Sequence, residues 1–227
     1  FLKEISESPV SVEKTLQNRW KVTGNEQYTT VLDSTVLNAS IIDALRSDRI
    51  RRIYFVGQGT AGIAAQACAD ILSYYLNDSK LFIDALKASE LSGFKMSEHD
   101  RPDSMSDTLV IAISQSGTTA DTNRTVDMVR GRGARTLAIV NRRDSDITFK
   151  VAGVMYTSSG RDIEMSVAST KAFYSQIVAG AILGLHMAAT TGRRDIAFVT
   201  KEIKMLLDLP GHMNTILSQA EQMENSA

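Results

Sequence analysis

The chain has 227 residues, 43% of them hydrophobic and 22% charged, with a formal net charge of -1. That length and balance describe a globular protein with a sizeable core. The near-zero charge excludes a global field that would recruit nucleic acid or a membrane surface. The short basic clusters Arg49-Ile-Arg-Arg52, Arg142-Arg143 and Arg193-Arg194 lack interleaved aromatics and read as solvated faces. The single cysteine, Cys68, excludes an internal disulfide framework and fits a reducing compartment. Set in Ala64-Ala-Gln-Ala-Cys-Ala-Asp-Ile-Leu72, with no basic neighbour to lower its pKa, it reads as a small buried hydrophobe. His99, His186 and His212 stand singly, without ligand spacing, so no metal is expected. No secretory signal and no apolar run long enough to span a bilayer is evident, which points to the cytoplasm. The chain opens on Phe1 and closes on Glu-Asn-Ser-Ala, which fits processing or a piece of a longer protein.

In chain order, Glu4 to Trp20 has helical spacing, with Pro9 near the expected helix start. Gly24 to Thr35 is polar and predicts a loop, and Ala39 to Arg46 a short helix. This front segment, residues 1–50, lies outside any βα repeat and is expected to pack across the domain or against a partner. From there the pattern alternates. Strands are predicted at Ile53–Val56, Leu81–Ile83, Leu109–Ile113, Thr136–Val140 and Val154–Tyr156. Helices are predicted from the glycine-rich turn to Leu76, near Ala88–Leu91, over Ala120–Arg130 and at Asp146–Lys150, and Gly93 to Asp107 reads as an exposed connection. Five strands alternating with helices, most of them apolar throughout, predict an α/β fold with a doubly wound parallel sheet covered on both faces. That unit is expected to occupy residues 51–190, with a long apolar helix over Val167–Ala189. Residues 191–227 predict one or two amphipathic helices, interrupted at Pro210-Gly211, with an apolar stripe for a second domain or subunit.

Ligands of such sheets bind beyond the carboxyl ends of the strands, where strand order reverses. Three loops there carry suitable chemistry. Gly57-Gln-Gly-Thr-Ala-Gly62 fits a dinucleotide fingerprint in letter, yet only Asp84 is offered as a ribose acid, and Gln58 and Thr60 suit a compact polar ligand equally well. Ser114-Gln-Ser-Gly-Thr-Thr119 has four hydroxyls in six residues between a buried strand and a helix start. Helix N-termini present unbonded N–H groups and favour negative charge, so the loop predicts a phosphate cradle; one capping hydroxyl is the plainer alternative. The two loops together fit a sugar phosphate better than a dinucleotide. In the third, Gly160 to Lys171, Glu164, Ser166, Ser169, Thr170 and Lys171 cluster before the long helix. Capping by Ser166, dipole compensation by Glu164 and a solvated Lys171 stand there as alternatives to a functional role.

Phe-Leu-Lys-Glu-Ile at the start, Gly57-Gln-Gly-Thr60, Ser114-Gln-Ser-Gly-Thr-Thr-Ala-Asp121 and Val167-Ala-Ser-Thr-Lys-Ala-Phe173 together resemble the sugar-isomerase (SIS) family. The likeness is closest to the first SIS domain of its glutamine–fructose-6-phosphate aminotransferase branch. It implies a flavodoxin-like SIS fold and fructose 6-phosphate or glucosamine 6-phosphate as ligand. It also implies no metal or organic cofactor, dimeric pairing of SIS domains, a preceding glutaminase domain and a following second SIS domain. Ser114, Gln115, Ser116 and Thr119 would hold the phosphate, Thr60 would contact the sugar, and Val167 would line it through its backbone. Departures stand beside these matches. Ala61 and Thr118 occupy positions where the family commonly has Ser and Glu, and the third loop is longer than the usual Gly-x-Glu-Ile-Gly. They would suit a related deglycase or isomerase acting on another amino-sugar phosphate; a non-catalytic sugar-phosphate sensor is a separate alternative that no feature of this chain singles out. The family's general base and its lysine belong to the second SIS domain. The equivalent helix here offers Ile71 and Tyr74, with no Lys or Glu between Ala64 and Leu76. No catalytic residue is therefore assigned, and this chain alone is expected to bind without turning substrate over.

Overall fold

The computed structural model describes residues 2–96, 101–164 and 169–219. In chain order it runs α1 (Leu2–Leu16), the hairpin β1 (Trp20–Thr23) and β2 (Gln27–Thr30), and α2 (Ala39–Arg46). Then follow β3 (Arg52–Gly57), α3 (Thr60–Leu76), β4 (Phe82–Lys87), the short α4 (Ala88–Glu90), β5 (Thr108–Ser114) and α5 (Ala120–Arg130). The chain continues through β6 (Arg135–Val140), β7 (Gly153–Tyr156), α6 (Lys171–Thr190) and α7 (Ile196–Leu217).

Strands β3 to β7 form one parallel sheet in the order β4-β3-β5-β6-β7. The side-chain period of two explains why its strands read as unbroken apolar runs. Leu109, Ile111 and Ile113 of the fully buried β5 join one core, with Leu137, Ile139, Ile53 and Phe55. Val110 and Ala112 point the other way and join Val56, Ala138, Val140, Val126 and Val129 in a second core. The first core is roofed by α3 and α6, with α1 and α7 packed on α6. The second lies under α5 and the turn at Leu91–Lys95. The chain crosses from one face to the other between β3 and β5, so their carboxyl ends flank the crevice of the sheet.

Several local expectations differ from the structure. Helix α1 passes through Pro9 instead of starting there; its buried residues Val12 and Leu16 and a Ser11 hydroxyl 2.8 Å from that of Ser175 hold it on α6 despite the missing N–H. The polar stretch after Gly24 returns as β2. Its register with β1 is supported by Trp20 stacked on Tyr28 at 5.4 Å and by a 3.0 Å bond from the Tyr28 N–H to the Thr200 hydroxyl of α7. Strand β4 continues to Lys87 because an edge strand tolerates an exposed Asp84. Ser169 and Thr170 precede α6, which begins at Lys171. Helix α7 runs unbroken through Pro210. The expectation about bilayer-spanning runs is corrected too. Helix α6, with 20 residues and mean hydropathy 1.4, is long and apolar enough to span, but 72% of that window is buried inside the fold, which accounts for its composition.

Candidate functional site

Two loops leave the switch point side by side. At the end of β3, a Cβ on Gly57 would stand 2.5 Å from the Ala61 carbonyl oxygen, so only glycine lets the first turn of α3 close against the strand. Gly59, at φ +59, turns the chain into α3 and offers no capping side chain. At the end of β5, Ser114 is buried and its Oγ accepts the Gly117 N–H at 3.0 Å, with the Thr119 hydroxyl 3.5 Å away. Gly117 sits at φ +68, and its carbonyl accepts the Asn123 side-chain amide at 3.0 Å and the Ile147 N–H at 3.2 Å.

The capping alternative for this loop does not hold. Thr119 occupies the N-cap of α5 and makes no side-chain cap bond. The Ser116 Oγ instead accepts the Thr118 N–H at 3.2 Å and the Thr118 hydroxyl at 3.0 Å, a turn closed within the loop. The first-turn amides of α3 and α5 thus lack a side-chain acceptor, and both helix starts open into one cavity of about 380 Å³. Thr60, Ser114, Gln115, Ser116 and Thr119 all line it, so the structure brings these five sequence-predicted residues together. Val167, the sixth, lies outside the described residues, as do Ser166 and His99.

The third loop resolves differently. The Glu164 Oε1 accepts the N–H groups of Thr170 and Ala172, each at 2.9 Å, so this carboxylate compensates the start of α6. Lys171 turns to α1, where its ammonium meets the Glu7 carboxylate at 2.5 Å. Burial pulls the Lys171 pKa down, but the Glu7 hydrogen bond and nearby carboxylates outweigh it, leaving the value above that of an ordinary lysine. Lys171 is a structural cation here. Among the described residues of this cluster, Ser169 alone lines the cavity.

Sequence reasoning missed Asn123. One turn into α5 and buried, its amide donates to the carbonyls of Gly117 and Thr119 and holds the loop in shape. Its place four residues after a helix start, where Asn is a poor helix former, was the available signal. Also missed was Asn141, whose buried side chain joins the β6 exit to the third loop: it donates to the Asp162 carbonyl and accepts the Asp162 N–H at 3.2 Å. Cys68 is buried against α6, its thiol 3.7 Å from the Gln176 carbonyl, and burial pushes its pKa up to about 12. His186, its Nδ1 2.9 Å from the Thr30 hydroxyl, is held below the ordinary histidine value by desolvation. Among the described residues no group of His, Cys, Asp and Glu has metal-site geometry.

Residues 90–185 match the model of the SIS domain. The whole chain is 30% identical over 227 residues to the glutamine–fructose-6-phosphate aminotransferase (isomerizing) of Clostridium perfringens, and 34% identical over 230 residues to that of Tropheryma whipplei. It spans only 34% and 33% of their lengths, about a third of each relative. Among solved structures, the C-terminal domain of glucosamine-fructose-6-phosphate aminotransferase from Francisella tularensis superposes with a TM-score of 0.78 at 23% identity. That superposition covers 99% of this chain and 57% of that one, a likeness of fold.

Proposed function

We propose, from the SIS domain match over residues 90–185, that the cavity binds the phosphate and part of the sugar of fructose 6-phosphate or glucosamine 6-phosphate. It would do so as the phosphate-binding half of an isomerase domain resembling that of the aminotransferases above. One observation carries this: two helix N-termini without side-chain caps open into a single cavity together with the hydroxyls of Ser114, Ser116 and Thr119. Phosphate oxygens satisfy such amides and hydroxyls at once, and the helix dipoles add to the attraction. Thr60 and Ser169, which also line the cavity, are assigned to sugar hydroxyls, and the Val167 backbone, outside the described residues, is assigned to lining the sugar.

The described residues lining the cavity include no Asp, Glu, His or Lys. Moving a proton between adjacent sugar carbons needs a placed base, so this chain alone binds substrate and leaves it unchanged. Turnover is assigned to groups supplied by a further domain or a paired subunit. Ala61, which lines the cavity without a hydroxyl, favours a second reading, a related isomerase or deglycase for another amino-sugar phosphate.

Thermal unfolding tests the site. For a dissociation constant near ~1 mM, ~10 mM ligand stabilises by about 1.4 kcal/mol, or about 3–6 °C in Tm for a domain of this size. Ser116→Ala combined with Thr119→Ala is expected to abolish that shift; a shift surviving both changes overturns the assignment. Appearance of glucosamine 6-phosphate when the chain alone is incubated with fructose 6-phosphate and ammonia overturns the claim of binding without turnover.

A further inference from the structure

The sugar-phosphate cavity has a neighbour. On the far side of Gln115 and Ser116, which line both, a hollow of about 470 Å³ runs between the exits of β5 and β6 and the third loop. Three guanidiniums line it: Arg142, Arg143 and Arg161. Its walls are tied together. The Gln115 carbonyl accepts the N–H groups of Asn141 and Arg142, at 3.3 and 3.2 Å. The buried Asn141 side chain fastens the third loop to β6 through Asp162, and the Arg143 N–H donates to the Gly160 carbonyl at 3.2 Å. The Arg143 guanidinium lies 4.3 Å over the Tyr156 ring, and its Nε donates to the Ser159 carbonyl at 3.1 Å.

Three carboxylates share the hollow, but none pairs with these arginines. Asp162 accepts the Ser11 hydroxyl at 2.7 Å, Glu164 accepts the amides at the start of α6, and Asp144 meets neither Arg142 nor Arg161. Arg142 and Arg161 are exposed and, among the described residues, make no ion pair or side-chain hydrogen bond. Forked donors left without acceptors, set on a fixed wall one residue from a phosphate loop, are an arrangement that recognises a second phosphoryl group. We propose that this hollow is a second anion subsite, continuous with the Ser114–Thr119 loop, for a ligand carrying two linked phosphoryl groups. It rests on the phosphate-loop reading above. The sugar side of that loop faces Thr60 and Ser169, so the second group is attached through the first phosphate, as in a diphosphate.

Calorimetric titration of the whole chain with inorganic phosphate, pyrophosphate and fructose 6-phosphate, in chelator without divalent metal, tests this. Pyrophosphate is expected to bind at least tenfold more tightly than phosphate. Arg142→Gln combined with Arg161→Gln should erase that preference and leave fructose 6-phosphate affinity unchanged. Equal affinities for the two anions, or a preference that survives the double change, overturns the subsite while leaving the sugar-phosphate site standing. Loss of fructose 6-phosphate binding in the unsubstituted chain overturns both. A nucleoside diphosphate binding as tightly as pyrophosphate identifies a diphosphate ester as the ligand, and tight binding of pyrophosphate alone identifies the free anion; either supports the subsite.

Discussion

Replacing Gly117 by Ala probes the Ser114–Thr119 loop at its tightest point. Gly117 lies at φ +68, and a Cβ there would fall 1.9 Å from the Ser145 Oγ, 2.6 Å from the Ser145 Cβ and 3.1 Å from the Val140 Cγ2. The left-handed conformation costs an L-residue about 1–2 kcal/mol. Overlap with a packed neighbour adds about 1–3 kcal/mol, for about 2–5 kcal/mol in all if the loop keeps its shape. In a domain of this size that lowers Tm by about 4–20 °C. If the loop swings away to relieve the strain, stability recovers, but the Gly117 N–H leaves the Ser114 Oγ and the fructose 6-phosphate shift is lost. Ser145→Gly separates the two contributions, because it removes both close Ser145 atoms and leaves the backbone strain. It sacrifices the 2.8 Å bond from the Ser145 hydroxyl to the Arg142 carbonyl, about 1 kcal/mol. Urea unfolding of both single variants and the double variant should show a favourable coupling of about 1–3 kcal/mol. Wild-type stability and an unchanged ligand shift in Gly117→Ala, or no coupling to Ser145, would refute the steric reasoning.

Three further outcomes follow from groups outside the loop. Desolvation holds His186 below its ordinary value of 6.5. The unfolded chain therefore takes up the proton first, and stability falls as pH drops from 6.5 towards the folded value; His186→Gln should flatten Tm over that window. The Asp78 carboxylate is held below 3.8 by the Lys80 N–H first and by Arg193, whose guanidinium lies 2.8 Å away. Its contribution is present above that pH and lost as pH falls through the folded value, so Asp78→Asn should cost about 1 kcal/mol at pH 7 and progressively less as pH falls below 3.8, read from urea midpoints. Cys68, buried and pushed up to about 12, should resist a thiol reagent at pH 8 in the folded chain and react within seconds in denaturant; fast reaction in the folded chain would contradict its burial.

The parallel sheet was legible because its signal is local and redundant. Each inner strand is apolar on both faces, and each loop announces itself by glycines or hydroxyls. Edges and attachments were harder to read. The hairpin Trp20–Thr30 has only alternating polar and apolar residues, and its contacts come from α6 and α7, more than 150 residues away. Strand β4 looked short because Asp84 interrupts its apolar run, which matters in a central strand and little at an edge. Pro9 and Pro210 suggested helix boundaries, yet α1 and α7 both run through them; at Pro9 the lost hydrogen bond is outweighed by buried side chains on either side. At the site, residue types revealed the hydroxyls that line the cavity, whereas the amides that hold the loops, Asn123 and Asn141, act through backbone atoms, of the adjoining loop for Asn123 and 21 residues away for Asn141. Lys171 shows the same limit in reverse: its partner Glu7 lies in a helix that the sequence placed on the domain or on a partner without choosing between them.

Two of the departures from the SIS pattern, Thr118 and Ala61, do not weigh equally once they are placed. Thr118 is exposed, lies outside the cavity lining, and its hydroxyl bonds to Ser116 within the loop. A change there alters how the loop is braced and brings no group to the ligand. Ala61 lies inside, one residue past Thr60 at the first turn of α3, beneath the place a sugar would take. A hydroxyl missing from a buried wall removes one hydrogen bond to a polar ligand and discriminates between sugars that differ at a single hydroxyl. On the proposed reading, phosphate capture and sugar selection would rest on different loops. The β5 loop would supply affinity through amides and hydroxyls that any phosphate satisfies, and the β3 loop, through Thr60 and the bare Ala61, would decide the identity of the sugar.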